Sequence, residues 1–193
     1  PCVLCGIDRQ QHHSLCEDCW QQMPWSKSTV QRQEMDIQVA CHYGYPIDRI
    51  IQKFKYEQQL HFQNLLAGAL LEIRLPKIQA IVPMPISNER LLERGYNQSL
   101  IVAKIMAKQL NIPIWQPITR LQQHSQKGLS RLERLNHIEQ QFQISTTSKL
   151  RYRRVLILDD VVTTGSSIHA LKLKLEELGC QKIYAACIAS AES

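Results

Sequence analysis

The spacing of apolar residues along this chain changes repeatedly between short continuous runs and runs at helical spacing. Residues 39–45 form a short run that predicts a strand, and apolar residues at helical spacing predict a helix over residues 47–56. A second helix is predicted over residues 60–75, because Pro76 ends its pattern. Up to this point the pattern therefore predicts one strand and two helices.

Beyond residue 80 strands and helices alternate. The predicted strands are residues 80–84, 155–158 and 182–188, and the predicted helices are residues 99–110 and 166–178. Because these strands are rich in apolar residues without strict alternation, we expect burial on both faces, as in a parallel sheet covered by helices. The expected fold class is therefore α/β, a parallel sheet flanked by helices.

Polar segments interrupt this pattern in two places. Residues 1–25 lack core-forming periodicity, and the polar residues that follow suit a connector. We therefore predict a small module at residues 1–25, a connector at residues 26–38 and an α/β domain at residues 39–193. Residues 120–150 are also polar, and so long a segment inside a compact domain is usually a functional loop.

Composition limits the class of protein. The chain has 193 residues, 44% of them hydrophobic and 21% charged, which is the balance of an ordinary soluble globule. Lys and Arg outnumber Asp and Glu by 23 to 17, and the net charge of +6 suits either an anionic partner or simple solubility. No apolar run approaches the ~20 residues that a membrane span needs, so we expect no membrane insertion.

The most informative segment is residues 155–167. A buried strand is predicted first, two adjacent carboxylates follow at its carboxyl end, and a hydroxyl-rich turn with one glycine then opens a helix: Val-Leu-Ile-Leu-Asp-Asp-Val-Val-Thr-Thr-Gly-Ser-Ser. Ligands of open α/β sheets bind outside the carboxyl ends of strands, and a helix N-terminus presents N–H groups to a phosphate. The segment therefore predicts a phosphate site.

Each part of this segment has a task in binding a sugar phosphate. Gly165 allows the backbone to approach the anion. The hydroxyl groups that would surround the same anion belong to Thr163, Thr164, Ser166 and Ser167. Because carboxylates repel phosphate, Asp159 and Asp160 should face the other end of the ligand and accept hydrogen bonds from ribose hydroxyls. The alternative is a strand that ends in solvated aspartates, followed by an ordinary Ser or Thr helix cap.

Four of the seven cysteines form two close pairs, Cys2 with Cys5 and Cys16 with Cys19. Two CxxC pairs are the ligand set of a closed tetrahedral thiolate site, so we predict structural zinc, with an iron–sulfur cluster or merely structural cysteines as alternatives. A closed site leaves no position for water, so the metal would serve to fold residues that could not fold alone. Paired CxxC beside unpaired thiols also indicates a reducing compartment, and we predict a cytoplasmic protein.

The run at residues 155–167 resembles the thirteen-residue signature of type I phosphoribosyltransferases, with Ser167 where that family commonly has Thr. Other motifs follow in a specific order, namely a Pro-x-Pro turn at residues 83–85, an Arg-Gly-Tyr-Asn-Gln run at residues 94–98, and Gln126, Leu129, Ser130, Glu133, Arg134 and Phe142. Together with the four-cysteine module, these motifs resemble the ComF family, which includes the GntX proteins. The resemblance covers nearly the whole chain, and one position departs from it, because His137 stands where the family often has Asn.

This resemblance implies a zinc-containing, phosphoribosyltransferase-like protein of the cytoplasm that acts in natural transformation. The implied ligand is phosphoribosyl pyrophosphate with Mg²⁺, and the implied partners are incoming single-stranded DNA and proteins of the DNA-uptake machinery. In an active enzyme Asp159 and Asp160 would be the catalytic pair, and contacts to the pyrophosphate or a closing loop would come from Arg94, Gln126 and Arg134.

Three classes of function remain open on these grounds. The first is glycosyl transfer from phosphoribosyl pyrophosphate to an acceptor, and the second is a ligand-gated binding module without turnover. The third is a nucleic-acid-handling factor, for which residues 151–154 offer cations with an aromatic platform, unless they are only the solvated beginning of a strand. We favour a phosphoribosyl pyrophosphate-binding competence protein, with an active phosphoribosyltransferase as the alternative.

Overall fold

The computed structural model describes residues 1–121, 130, 132–133, 140–145 and 149–191. In these residues the main sheet consists of β1 (Trp25–Arg32), β2 (Met35–His42), β3 (Ala80–Pro83), β6 (Arg154–Val162) and β7 (Lys182–Ser190), and a separate pair consists of β4 (Ile118–Arg120) and β5 (Phe142–Ile144). The helices are α1 (Glu17–Gln21), α2 (Ile47–Tyr56), α3 (Gln63–Leu71), α4 (Asn88–Arg94), α5 (Gln98–Leu110) and α6 (Ser166–Glu177), and Leu60–Phe62 forms a 3₁₀ turn before α3. None of the helices described has both the length and the apolar character that a bilayer crossing demands.

The main sheet has the strand order β1-β2-β7-β6-β3. Strands β2, β7, β6 and β3 run parallel, and β1 pairs antiparallel with β2 at the edge. The interior strand β6 is buried on both faces: Leu156 and Leu158 pack into one apolar core with residues of α2, α3 and α5, whereas Val155 and Ile157 pack into a second core with residues of α6. The predicted α/β fold, a parallel sheet flanked by helices, is therefore confirmed.

The hairpin of β1 and β2 occupies residues for which the sequence predicted a connector. Residues 28–32 pair in register with residues 35–39, for example Val30 with Ile37, and β2 then pairs with β7. The polar character that suggested a connector reflects the position of β1 as an edge strand, whose residues are exposed or half-buried, while Met35, Ile37 and Val39 of β2 alternate into the core. The assigned division into module, connector and domain stays a prediction.

The N-terminal segment packs directly on α3. Cys2, Leu15, Cys16 and Trp20 belong to the same apolar core as residues of α3 and α5. Gly68 of α3 makes this approach possible, because a Cβ atom built there would lie 2.2 Å from the His13 ring. The core of the α/β fold therefore extends under the four-cysteine segment.

Candidate functional site

The candidate site lies where β3 and β6 end side by side. Pro83 of β3 lies opposite Leu158 of β6, and the Met84 N–H donates to the Leu158 carbonyl at 2.8 Å. The chain of β6 then continues through Asp159 and Asp160 into residues 163–167, here called the hydroxyl turn. Because parallel strands bring their carboxyl ends to one edge, the Pro-x-Pro turn and the hydroxyl turn meet at that edge.

The hydroxyl turn surrounds a cavity of about 170 Å³. Its lining includes every residue that the sequence predicted to bind phosphate here, namely Thr163, Thr164, Gly165, Ser166 and Ser167. The Thr164 and Ser166 hydroxyls are 2.9 Å apart and hydrogen-bonded, and Gly165 is the N-cap of α6. The first N–H groups of α6, which have no partner inside a helix, are thus available beside the cavity.

Arg32, at the end of β1, packs against the hydroxyl turn. Its Nε–H donates to the Thr163 carbonyl at 2.9 Å, and a Cβ atom on Gly165 would lie 2.6 Å from the Arg32 Cβ. Gly165 also has a φ of 77°, which an L side chain rarely adopts. The turn therefore needs glycine for its own backbone and for its contact with the hairpin. No sequence pattern predicted that Arg32 would contact this turn.

Asp160 is the centre of a buried polar network. Only 7% of the residue is exposed, its Oδ2 lies 2.9 Å from the Lys55 ammonium, and Gln98 Nε2 donates to the same oxygen at 3.4 Å. The Val161 N–H donates to Oδ1 at 2.7 Å. Burial alone would raise the pKa of Asp160, but the Lys55 charge and these hydrogen bonds outweigh it and hold that pKa below its ordinary value. Asp160 is therefore an anion paired with Lys55.

Asp159 has the opposite electrostatic character. Burial and the neighbouring Asp160 charge raise the pKa of Asp159 to about 8. Its Oδ1 accepts the Asp160 N–H at 2.9 Å, and the Ser99 hydroxyl lies 3.5 Å away. The two adjacent carboxyls thus differ at neutral pH, since one is ionised and the other holds a proton.

We predict that Asp159→Asn stabilises the unliganded protein at pH 8.5 and stabilises it much less at pH 5. Between pH ~4 and ~8 the folded state holds a proton on Asp159 that the unfolded chain has lost, so this carboxyl makes stability fall as pH rises through that window. Because Asp159 is partly exposed, we expect a gain of only about 1 kcal/mol, or roughly 2–4 °C in a melting experiment.

Asp160→Asn is the matched control for this experiment. It removes the partner of Lys55, and the melting temperature should therefore fall at both pH values. Melting temperatures that fall equally in the two variants would contradict the assignment of unlike protonation states.

Two further arginines, Arg94 and Arg120, contact residues of this site. Arg94 is 9% exposed, donates to Gln98 Oε1 at 3.0 Å, and so joins the Asp160 network through that amide. Arg120, which sequence reasoning missed, donates to Ser167 Oγ at 3.3 Å and packs on the Phe142 ring. In the part of the chain that the structure describes, the buried Nε–H of Arg120 has no hydrogen-bond partner. That orphaned donor suits an anionic ligand atom.

Gln126 and Arg134, the two other predicted contacts, lie outside the described residues. Lys55 and Gln98 were not predicted as site residues, although Lys55 belongs to a basic helix end and Gln98 closes the Arg-Gly-Tyr-Asn-Gln run. Gln98 thus lies in a motif that the sequence analysis identified, but only the packing of α2 and α5 against β6 shows that Lys55 and Gln98 meet at Asp160.

The four predicted metal ligands come together as one cluster. The sulfurs of Cys2, Cys5, Cys16 and Cys19 all lie within 4.8 Å of one another, and the Cys5 and Cys16 sulfurs are 3.8 Å apart. Two thiolates bound tetrahedrally to one zinc at about 2.3 Å would be separated by about 3.8 Å. The Leu4 N–H also donates to Cys2 Sγ at 3.4 Å. The donor set therefore fits a single tetrahedral metal ion.

Known proteins are similar to this chain along most of its length. The phosphoribosyl transferase domain model matches residues 97–193. Competence protein F of Haemophilus influenzae is 30% identical, over 94% of this chain and 81% of that protein. Competence protein ComFC of Bacillus subtilis is 27% identical, over 92% of this chain and 72% of that protein. The DNA utilization protein YhgH of Escherichia coli K12 is 24% identical, over 97% of this chain and 82% of that protein.

Proposed function

This chain belongs to the ComF family of phosphoribosyltransferase-domain proteins, and we propose that it binds phosphoribosyl pyrophosphate with Mg²⁺ as a cytoplasmic competence factor that handles incoming single-stranded DNA. The observation that carries the ligand is the joining of an acidic pair, a hydroxyl turn and a helix N-terminus at one strand end. The competence role rests on relatives that are named competence proteins and a DNA utilization protein.

Charge would determine which end of the ligand binds at each part of the site. The hydroxyl turn would hold the 5′-phosphate with the Thr and Ser hydroxyls and the N–H groups of α6. Asp159 and Asp160 would accept hydrogen bonds from the ribose hydroxyls, and Asp159 would give up its proton to do so. The orphaned Nε–H of Arg120 supports a contact to the pyrophosphate.

Both the protein and the phosphate groups of the ligand would coordinate Mg²⁺ at this site. Mg²⁺ is commonly held by one or two carboxylates together with substrate phosphates. Asp159 is the better candidate for a ligand of the ion, because Asp160 is already paired with Lys55. When bound, the ion would neutralise charge on the pyrophosphate and stabilise its departure if glycosyl transfer occurs. The alternative function, an active phosphoribosyltransferase, would use the same residues.

The ligand proposal is tested by calorimetric titration of the wild-type protein. We expect phosphoribosyl pyrophosphate to bind with one site per chain in the presence of Mg²⁺ and at least about tenfold more weakly with EDTA, because the ion neutralises the pyrophosphate. Ribose 5-phosphate should bind more weakly, since it lacks the pyrophosphate, and NAD⁺ should not bind. Equal binding of NAD⁺, or no binding of phosphoribosyl pyrophosphate, would contradict the proposal, and release of pyrophosphate on adding an acceptor would identify turnover.

A further inference from the structure

The edge of the main sheet opposite the candidate site carries a group of cations. Lys77 precedes β3, Arg153 precedes β6, and Arg154 and Lys182 are the first residues of β6 and β7; we call these four residues the basic edge. Because β3, β6 and β7 are neighbouring parallel strands, their amino ends lie side by side. Three of the four residues are exposed, and Arg154 is half-buried. The basic edge therefore presents positive charge to solvent from three adjacent strands.

Hydrogen bonds fix the backbone of the basic edge. The Gln79 side-chain oxygen accepts the N–H groups of Arg153 and Arg154, both at 3.0 Å, and the Gln79 N–H donates to the Arg154 carbonyl at 2.9 Å. The Arg153 carbonyl accepts the N–H groups of Gln181 and Lys182 at 2.8 and 2.9 Å. The cations of β6 and β7 thus extend from a backbone that is held across neighbouring strands.

Arg154 and Lys182 are directly opposite each other in the pairing of β6 with β7. Neighbouring strands lie about 4.8 Å apart, and like charges that are opposite each other destabilise a sheet. Within the part of the chain that the structure describes, neither side chain forms an ion pair. The protein therefore keeps a repulsive pair at the start of two strands, and an anion bound to both side chains would remove that repulsion.

The acidic residues at the ends of the neighbouring helices do not neutralise the basic edge. Glu72, which follows α3, lies 2.9 Å from the Lys27 ammonium. At the end of α6, Glu176 and Glu177 lie 3.3 and 3.4 Å from two lysines of the same helix. Because each of these carboxylates already has its own cation, the charge of the basic edge remains available to an anionic partner.

We propose that the basic edge binds the phosphate backbone of single-stranded DNA. Guanidinium groups bind phosphate oxygens through pairs of hydrogen bonds, and each phosphate that a cation neutralises releases counterions, which drives binding to a nucleic acid. The Tyr152 ring beside this edge is half-buried and packs edge-on against the buried Trp115, with 5.3 Å between the ring centres. Tyr152 is thus part of the core, so we expect binding through phosphates with little dependence on the bases.

This inference rests on the proposed function and extends it, because it places DNA and phosphoribosyl pyrophosphate at opposite edges of the sheet. Arg154 and Val162, the two ends of β6, are separated by eight residue steps, or about 26 Å along the strand. That distance exceeds the Debye length of about 8 Å at physiological ionic strength, so the two ligands should bind independently. A nucleotide whose phosphate lies at the basic edge is then too far from the hydroxyl turn to be a glycosyl acceptor.

The test measures the binding of a fluorescent oligo-dT by anisotropy at several salt concentrations. Arg154→Gln with Lys182→Gln should weaken binding by about 10- to 50-fold at 50 mM salt. The plot of log affinity against log salt should become less steep by about 1.4, because each phosphate contact of a single strand contributes about 0.7. The melting temperature of the unliganded variant should rise by about 1–3 °C, because the repulsive pair is gone.

A second variant guards against loss of folding in the first. Lys77→Gln with Arg153→Gln leaves the opposite pair of β6 and β7 in place and should give the same change of slope. The matched control is Arg49→Gln with Lys53→Gln, which also removes one Arg and one Lys, both exposed, but from α2 at the other edge of the sheet. Its slope should equal that of the wild type.

Two further measurements separate phosphate binding from other kinds of recognition. An oligonucleotide of the same length with only abasic positions should bind the wild type within about threefold of oligo-dT, because the phosphates are retained. The melting shift produced by phosphoribosyl pyrophosphate should persist in both variants of the basic edge.

The proposal is overturned if the wild type and the variants of the basic edge have equal slopes, or if the α2 control is the variant whose slope changes. Loss of binding to the abasic oligonucleotide would also overturn it, because recognition would then depend on the bases. A wild-type protein that shows the phosphoribosyl pyrophosphate shift but binds no DNA at 50 mM salt would contradict the DNA surface and leave the ligand site intact. DNA binding with the expected slopes but without that shift would support the basic edge and contradict the proposed ligand.

Discussion

Phosphoribosyl pyrophosphate with Mg²⁺ should raise the melting temperature of the wild-type protein by about 5–10 °C when the ligand is at 100 times its Kd. Binding to the folded state alone contributes RT ln(1 + [L]/Kd), which is about 2.7 kcal/mol at that ratio, and a chain of this size gains roughly 2–4 °C per kcal/mol. In the Asp159→Asn/Asp160→Asn variant the shift should disappear. A neutral amide accepts hydrogen bonds from ribose hydroxyls less strongly than a carboxylate does, and it is a weaker ligand for Mg²⁺.

Asn is a better replacement than Ala at these positions. It keeps the oxygen atoms that accept the Asp160 and Val161 N–H groups, so the strand end retains its local hydrogen bonds. The variant still loses the ion pair with Lys55, so its unliganded melting temperature should fall, and the shift must be measured from that lower value. If the double variant does not fold, Asp159→Asn alone should fold and bind at least about tenfold more weakly.

The matched control for charge is Glu176→Gln with Glu177→Gln. These two exposed carboxylates also stand side by side, but at the far end of α6, roughly 15 Å along the helix from its first residue. Their replacement also removes two adjacent carboxyl groups and should leave the ligand shift at its wild-type value. Equal shifts in the wild type and in the Asn variant would mean that residues 155–167 form only a strand followed by a capped helix.

Cys16→Ser should remove one zinc ion per chain and unfold the N-terminal segment. Metal binding supplies about 10–16 kcal/mol of folding free energy to small zinc modules, which have little core of their own. Because Leu15, Cys16 and Trp20 share a core with α3, the loss should extend beyond residues 1–25 and lower the melting temperature of the whole protein by on the order of 10 °C or more.

Elemental analysis and tryptophan fluorescence measure the two parts of this prediction. Trp20 and Trp25, whose ring centres are 4.7 Å apart, lie beside the cysteine cluster and should become solvent-exposed in the variant. Cys180→Ala, at a buried cysteine of the other core, should keep its zinc. Wild-type protein without zinc, or with iron and a visible absorption band, would overturn the assignment of the metal.

The residues of the candidate site differ in how far local sequence predicts them. The acidic pair and the hydroxyl turn follow one another along the chain, so a strand end, a turn and a helix N-terminus could be recognised from their order. Lys55, Gln98 and Arg120 reach the same site from distant segments, and their partners depend on how α2, α5 and β4 pack around β6. No local pattern specifies such long-range contacts.

The sequence by itself determined the α/β class, because long apolar strands without alternation are stable only when helices cover both faces of the sheet. It also determined the cysteine cluster, since the spacing of two CxxC pairs limits how four thiolates can meet. Only the tertiary structure decided the hairpin at residues 25–42, the contact of Arg32 with the hydroxyl turn and the unlike charges of Asp159 and Asp160. Edge pairing, burial and ion pairing depend on neighbours that are remote along the chain, and a local pattern carries no information about them.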